Sequence, residues 1–215
     1  MEALLSQYHA IAVALLVGAA APVLQGAAAP RGEIIGDDMY VSCQYRVAAH
    51  FPSDPKVRDI TYRDGSLSAP ARQFYVESGM SLLSVTVVHF ADGPDKDSQL
   101  IDNAVAALGR KGQMRFNYPV WYDEPNISGH QVQVALADGR ALRGSVYMAR
   151  NRLYITEAVA DLNDFPAFLF EQSVSLIDEN GIDLDGNPVG LATSAVGTSA
   201  GLPNRQYDCS RSNRR

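Results

Sequence analysis

Gln131-Val-Gln-Val-Ala-Leu-Ala-Asp-Gly-Arg-Ala-Leu-Arg-Gly-Ser-Val-Tyr-Met-Ala-Arg-Asn-Arg-Leu-Tyr-Ile-Thr-Glu-Ala-Val159 is the stretch on which the fold depends. Val132, Val134 and Leu136 alternate with Gln131 and Gln133. That period of two is the pattern of a strand with one face buried. Asp138-Gly139 is a favoured two-residue hairpin turn, because both residues accept the backbone that tight turns require. Leu142, Val146 and Met148 resume the alternation, Arg150-Asn151 turns the chain again, and residues 153–159 run back. The reading is an antiparallel meander.

Working outward, the period changes on both sides. Asn163 or Asp164 can cap a helix with Pro166 in its first turn. Phe165, Phe168, Leu169, Gln172, Leu176 and Ile177 then recur at helical steps, and Gly181 ends the run. Before the meander, residues 114–122 form an aromatic strand. Before that, Asp97 or Ser98 caps a helix with Leu100, Ile101, Ala104, Val105 and Leu108 on one face, stopped by Gly109 and Gly112. Residues 82–90, 72–77, 57–62 and 41–51 supply further strands, the last with Val41, Cys43, Tyr45 and Val47 alternating. Asp64-Gly65 and Gly79 mark turns between them. The order predicts an α+β fold, an antiparallel sheet of about six to eight strands covered by two helices.

Two groups of residues carry a family resemblance. One is Phe51-Pro-Ser-Asp-Pro55 with Ala71-Arg-Gln-Phe-Tyr75 and Ser84-Val-Thr-Val-Val88. The other is Leu142-Arg-Gly-Ser-Val-Tyr-Met-Ala-Arg-Asn-Arg-Leu-Tyr154 followed by residues 165–177. Together they resemble small secreted bacterial domains of unknown function in the PsbP-like fold group. That group takes its name from an extrinsic subunit of photosystem II and is shared with a Ran-binding transport factor. The resemblance covers about residues 41–180. It implies binding or assembly roles more than catalysis, brings no catalytic motif with it, and does not by itself fix function.

The two ends read differently from the middle. Residues 10–21 are all apolar or Gly and are followed by small residues, the layout of a secretory signal peptide. Gly26 and Ala28 suit the −3 and −1 positions, which places cleavage before Ala29 and makes residues 1–28 the signal. The alternative is an uncleaved membrane anchor through residues 10–24, although the run falls short of the roughly 20 residues that span a bilayer. Either way the expected localisation is periplasmic or secreted. Residues 29–40 read as a loose lead-in, 41–181 as the domain, and 182–215 as a flexible tail rich in Gly, Ser and Arg. Cys43 and Cys209 are the only cysteines. In an oxidising compartment an even pair suggests a disulfide, the alternative being two unpaired thiols.

Charge and motifs narrow the function. The net charge of −6 lacks the positive footprint a nucleic-acid binder needs. Gly197-Thr-Ser-Ala-Gly201 has the spacing of a serine-hydrolase elbow, but no His follows it and Pro203 blocks the helix that the elbow requires. Asp183-Leu-Asp-Gly-Asn187 lacks the position-6 Gly and position-12 acid of a calcium hand. His50, His89 and His130 are scattered near strand ends and give no zinc spacing. No cofactor, metal or catalytic set is expected, and the chain reads as a non-enzyme.

Phe116, Tyr118, Trp121 and Tyr122 cluster around Pro119. Alternation assigns Phe116, Tyr118 and Val120 to one face, expected to be core. Trp121 points the other way, so Trp121 and Tyr122 are the candidate contact residues. The expected function is a binding or assembly domain that docks on a larger, membrane-associated complex through an as yet unidentified protein partner. The alternatives are a ligand carrier or enzyme with a site of scattered residues, and an anchored accessory subunit of a membrane complex.

Overall fold

The structure is a computed structural model that describes residues 33–35, 39–65, 67–91, 98–121, 127–184 and 209. Among the described residues, eleven strands and two helices follow in the order β1 Glu33–Ile35, β2 Met39–Ser42, β3 Val47–His50, β4 Lys56–Asp64, β5 Leu67–Ser78, β6 Ser81–His89, α1 Ser98–Gly109, β7 Gly112–Trp121, β8 Ser128–Leu136, β9 Ala141–Ala149, β10 Arg152–Ala160, α2 Phe165–Ser173 and β11 Ser175–Leu176. The large sheet has seven antiparallel strands in the order β4-β5-β6-β10-β9-β8-β7. The α+β class and the meander are as expected.

Alternation along the central strands splits the apolar residues between two layers. Leu153, Ile155 and Val159 of β10 join Leu142, Val146 and Met148 of β9 against Ile101, Ala104, Val105 and Leu108 of α1. Those four helix positions follow i, i+3, i+4, i+7, so the whole stripe is buried, each larger side chain contributing about 1.5–3 kcal/mol. Tyr154, Ala158 and Ala160 face the other way. They pack with Tyr147, Phe74 and Phe170, under α2 and a second sheet.

That second sheet was not foreseen. It has four strands in the order β1-β2-β3-β11. Residues 41–51 are not one strand but the hairpin of β2 and β3, turned through Arg46 at φ 55. The lead-in stretch contains β1 and the start of β2. One face of this sheet lies on the core through Tyr40, Val47, Ala49 and Leu176. Its other face, Met39, Val41, Ala48 and Ile177, is covered by Cys209. A sheet buried on both faces shows no alternation, which is why the sequence pattern misled here.

The turns obey their chemistry. Ala149 pairs with Arg152 across Arg150 and Asn151, both left-handed at φ 48 and 61, as a type I′ hairpin requires. The Asp138-Gly139 loop is one residue longer than expected: Leu136 N–H donates to Arg140 O, and Gly139 takes the left-handed position at φ 88.

The second helix is shorter than its apolar spacing predicts. Asp164 is the N-cap, accepting from the N–H of Ala167 at 3.0 Å, with Pro166 in the first turn. The helix stops at Ser173, because Ser173 Oγ donates to Phe170 O at 2.8 Å and accepts the His50 N–H at 2.9 Å. Val174 is extended, and Leu176 and Ile177 belong to β11 and its continuation rather than to a helix face. Phe165 and Phe168 are exposed at 63% and 40%; the buried side chains are Ala167, Phe170 and Glu171.

The cysteine pair is joined: Cys43 and Cys209 form a disulfide across 166 positions. The tail is therefore fixed at Cys209, which is buried, and Leu184 packs on the core. Among the described residues no helix is long and apolar enough to cross a membrane. Residues 1–28, and with them the signal or anchor expectation, lie outside the described residues.

Candidate functional site

α2 lies over β10 and β9 and reaches β8 through the Gln131–Glu171 hydrogen bond; among the described residues its packing does not extend to β7, at the outer part of that sheet face. Strand register shows what stands there. Tyr118 pairs with Gln131, Gln131 with Ser145, and Ser145 with Thr156, so these four side chains form one row on the α2 side. Phe116, Gln133, Arg143 and Ala158 form the next. The rows begin with two aromatics at the sheet edge and run inward through amides, a guanidinium and hydroxyls. Phe116 and Tyr118 are not core: they are 38% and 67% exposed, their rings edge to face at 6.4 Å. Alternation named their shared face correctly, but among the described residues no layer covers it at this edge.

The wall beside the rows is α2. Arg143 lies over the Phe168 ring at 5.5 Å and reaches Leu162 O at 3.5 Å. Glu171 turns its carboxyl inward beside Phe170. Gln131 Nε2 donates to its Oε1 at 3.2 Å, Gln172 Nε2 donates to Oε2, and Ser145 also hydrogen-bonds it. Burial raises the carboxyl above its usual range, opposed by the Gln172 hydrogen bond, the Arg143 charge and the Gln131 and Ser145 hydrogen bonds. Thr156 Oγ1, at the inner end of the row, is buried without a hydrogen-bond partner. The arrangement is a shelf: aromatic at its rim, hydrogen-bonding on its floor, with one buried carboxyl on its wall.

Glu171 makes a pH dependence. Its carboxyl holds its proton more tightly folded than unfolded. Stability is therefore greatest below the unfolded value and falls as pH rises through the raised folded value, after which the penalty is constant. Glu171→Gln is expected to remove that slope and to raise the melting temperature at neutral pH. Melts of both proteins from pH 4 to 8 check it; parallel curves would show that the carboxyl does not carry the effect.

Trp121 ends β7, its backbone paired with Ser128, and Tyr122 lies outside the described residues. The histidines are apart. His130 Nδ1 is 2.6 Å from Asn117 Oδ1, and His50 and His89 end β3 and β6. Residues 197–201 lie outside the described residues, as does the loop after Leu184, while Asp183 is buried and bridged to Ile177. Sequence reasoning missed Gln131, Arg143 and Glu171. The available signal was Glu171 itself, an acid four residues after Ala167, with which it shares the buried helix face. The chain matches no protein-family model, no curated protein and no solved structure.

Proposed function

We propose that this protein is a non-enzymatic, exported binding or assembly domain whose shelf between α2 and β7 docks a protein partner. The observation that carries the reading is the pair of exposed aromatics, Phe116 and Tyr118, standing beside hydrogen-bonding side chains on a face that α2 leaves open. Aromatic anchors bordered by polar groups are what binding surfaces concentrate their energy in. The side-chain face, rather than the strand edge, is the contact. β7 has a register shift between Met114 and Phe116 and carries Pro119, and both features blunt an edge against strand addition. The disulfide supports export, because such bonds persist in oxidising compartments. The sequence resemblance to PsbP-like domains adds to the assembly reading.

Photo-crosslinking in the intact secreting cell tests this. A crosslinker at position 118 is expected to give one adduct of defined mass, and one at Arg58, on the opposite edge strand β4, none. Phe116→Ala and Tyr118→Ala should each weaken the captured interaction by about tenfold, the usual loss at an interface anchor. Equal adducts at both positions, or unchanged affinity in both variants, would remove the shelf as the contact. A second reading, a small-ligand carrier, is favoured by one feature: Glu171, a buried carboxyl with a raised titration range, is what ligand sites keep.

A further inference from the structure

β4 is one edge of the seven-stranded sheet, and among the described residues no strand lies beyond it. The two edges of this sheet differ. β7 is interrupted by its register shift and by Pro119. β4 runs nine residues in unbroken register with β5, from Lys56 opposite Tyr75 to Asp64 opposite Leu67, with no proline of its own. A regular edge strand offers every second backbone N–H and C=O to whatever pairs with it. Such edges are often guarded by lysines, whose shared sign repels a second copy.

β4 is charged, but not in one sign. In Arg58-Asp-Ile-Thr-Tyr-Arg-Asp64 the order of charges inverts when the segment is read backwards. Laid antiparallel on itself about Thr61, the segment sets Arg58 of each copy opposite Asp64 of the other, and Asp59 opposite Arg63. Ile60 meets Tyr62, and Thr61 meets Thr61. Every charged residue in the segment then faces its opposite, and every uncharged one faces an uncharged one. Sliding the copies by one pleat repeat either way loses this, because Asp59 or Arg63 then stands opposite Thr61.

The faces of the sheet agree with that pairing. Ile60 and Tyr62 pack on the α1 side, so Arg58 and Asp64 share their face, while Asp59, Thr61 and Arg63 share the other. Opposed residues therefore lie on the same face of a joined sheet, as a two-fold axis at Thr61 requires. β5 steadies the charged side chains from within. Arg58 Nε donates to Gln73 Oε1 at 2.8 Å and its guanidinium lies over the Tyr75 ring at 4.5 Å, while Arg72 Nε is 2.9 Å from Asp59 Oδ1. The Asp59 side chain is still 69% exposed beside that pair, and Arg58 and Arg63 are exposed too.

We propose that β4 is a self-association edge, through which two copies of this chain pair antiparallel over residues 58–64 and join their seven-stranded sheets. The contact is isologous, so each attraction occurs twice. One strand pair is small beside a standard interface, so the dimer is weak and exchanges with monomer. It lies at the edge opposite β7 and does not rest on the shelf reading. A crosslinker in place of Arg58 removes two of the attractions, which keeps that position silent as the control for the shelf.

Sedimentation velocity of the full chain over a rising concentration series tests this. Wild type is expected to pass from monomer to dimer, less readily as salt is raised. Arg58→Asp and Asp64→Arg each oppose like charges twice and should each weaken association roughly tenfold or more. Mixing the two single variants brings opposite charges together again, as does R58D/D64R in one chain, and both should associate within about threefold of wild type. Asp59→Arg and Arg63→Asp repeat the exchange on the other face, should either of the first two melt below wild type. A chain that stays monomeric at every concentration overturns the proposal. So does a dimer that neither exchange weakens, or a pair of folded single variants that fail to associate when mixed.

Discussion

Removing the Cys43–Cys209 bridge is expected to lower the unfolding free energy by about 3–5 kcal/mol, more than any surface substitution. The bridge joins positions 166 apart. Chain-entropy arguments give about 5 kcal/mol for closing a loop of that size, and native-state effects usually reduce the gain. Packing acts in the same direction. Cys209 is buried with Met39, Val41, Ala48 and Ile177, so its release uncovers the outer face of the four-stranded sheet. For a chain of this length the loss corresponds to a melting temperature lower by roughly 10 °C. Melts of a Cys43→Ser/Cys209→Ser variant, and of wild type with and without reductant, should agree. Hydrogen exchange should show the loss first in β2 and β3, before the seven-stranded sheet. A variant that melts within ~2 °C of wild type would mean that the bridge constrains little of the unfolded chain.

That bridge also shows where the sequence was legible. The meander was readable because β8, β9 and β10 carry local signals: alternation along each strand, Asp138-Gly139, and Arg150-Asn151. The first helix was readable because its buried stripe is purely apolar. The four-stranded sheet was not, because its pairing is set by distant contacts. β3 meets β11 from the far end of the chain, and both faces are buried. The length of α2 failed for a related reason. Leu176 and Ile177 continue a helical spacing, but Ser173 binds Phe170 O and the His50 N–H, and the strand pairing with β3 wins. The shelf was half legible. Spacing put Phe116 and Tyr118 on one face, yet only the position of α2 leaves them open. Glu171 is the opposite case, a charged residue whose burial was signalled only by its place four residues after Ala167.

Glu171 depends on its neighbour, and the second large effect follows from that. Phe170→Ala is expected to cost about 3–5 kcal/mol, the usual range for emptying a phenyl-sized site in a core. Phe170 is almost fully buried, and its ring centroid lies 4.8 Å from that of Phe51. It also packs in the same cluster as Phe74, Tyr154 and Leu176, which joins α2 to both sheets. A nine-residue helix has little stability of its own, so α2 stays helical only while this side chain holds it. Phe168→Ala, two residues away on the exposed side of the helix, should cost less than about 1 kcal/mol. Phe170→Leu should fall between them, since much of the volume is kept. Urea unfolding of the three variants checks the order. The functional consequence separates this from simple core damage. When α2 loosens, Glu171 loses Gln131 and Ser145 and regains water, so the pH slope assigned to it should shrink in Phe170→Ala as it does in Glu171→Gln. Phe170→Ala with an unchanged slope would show that the shelf wall stands without its anchor, and that Glu171 is held by the sheet alone.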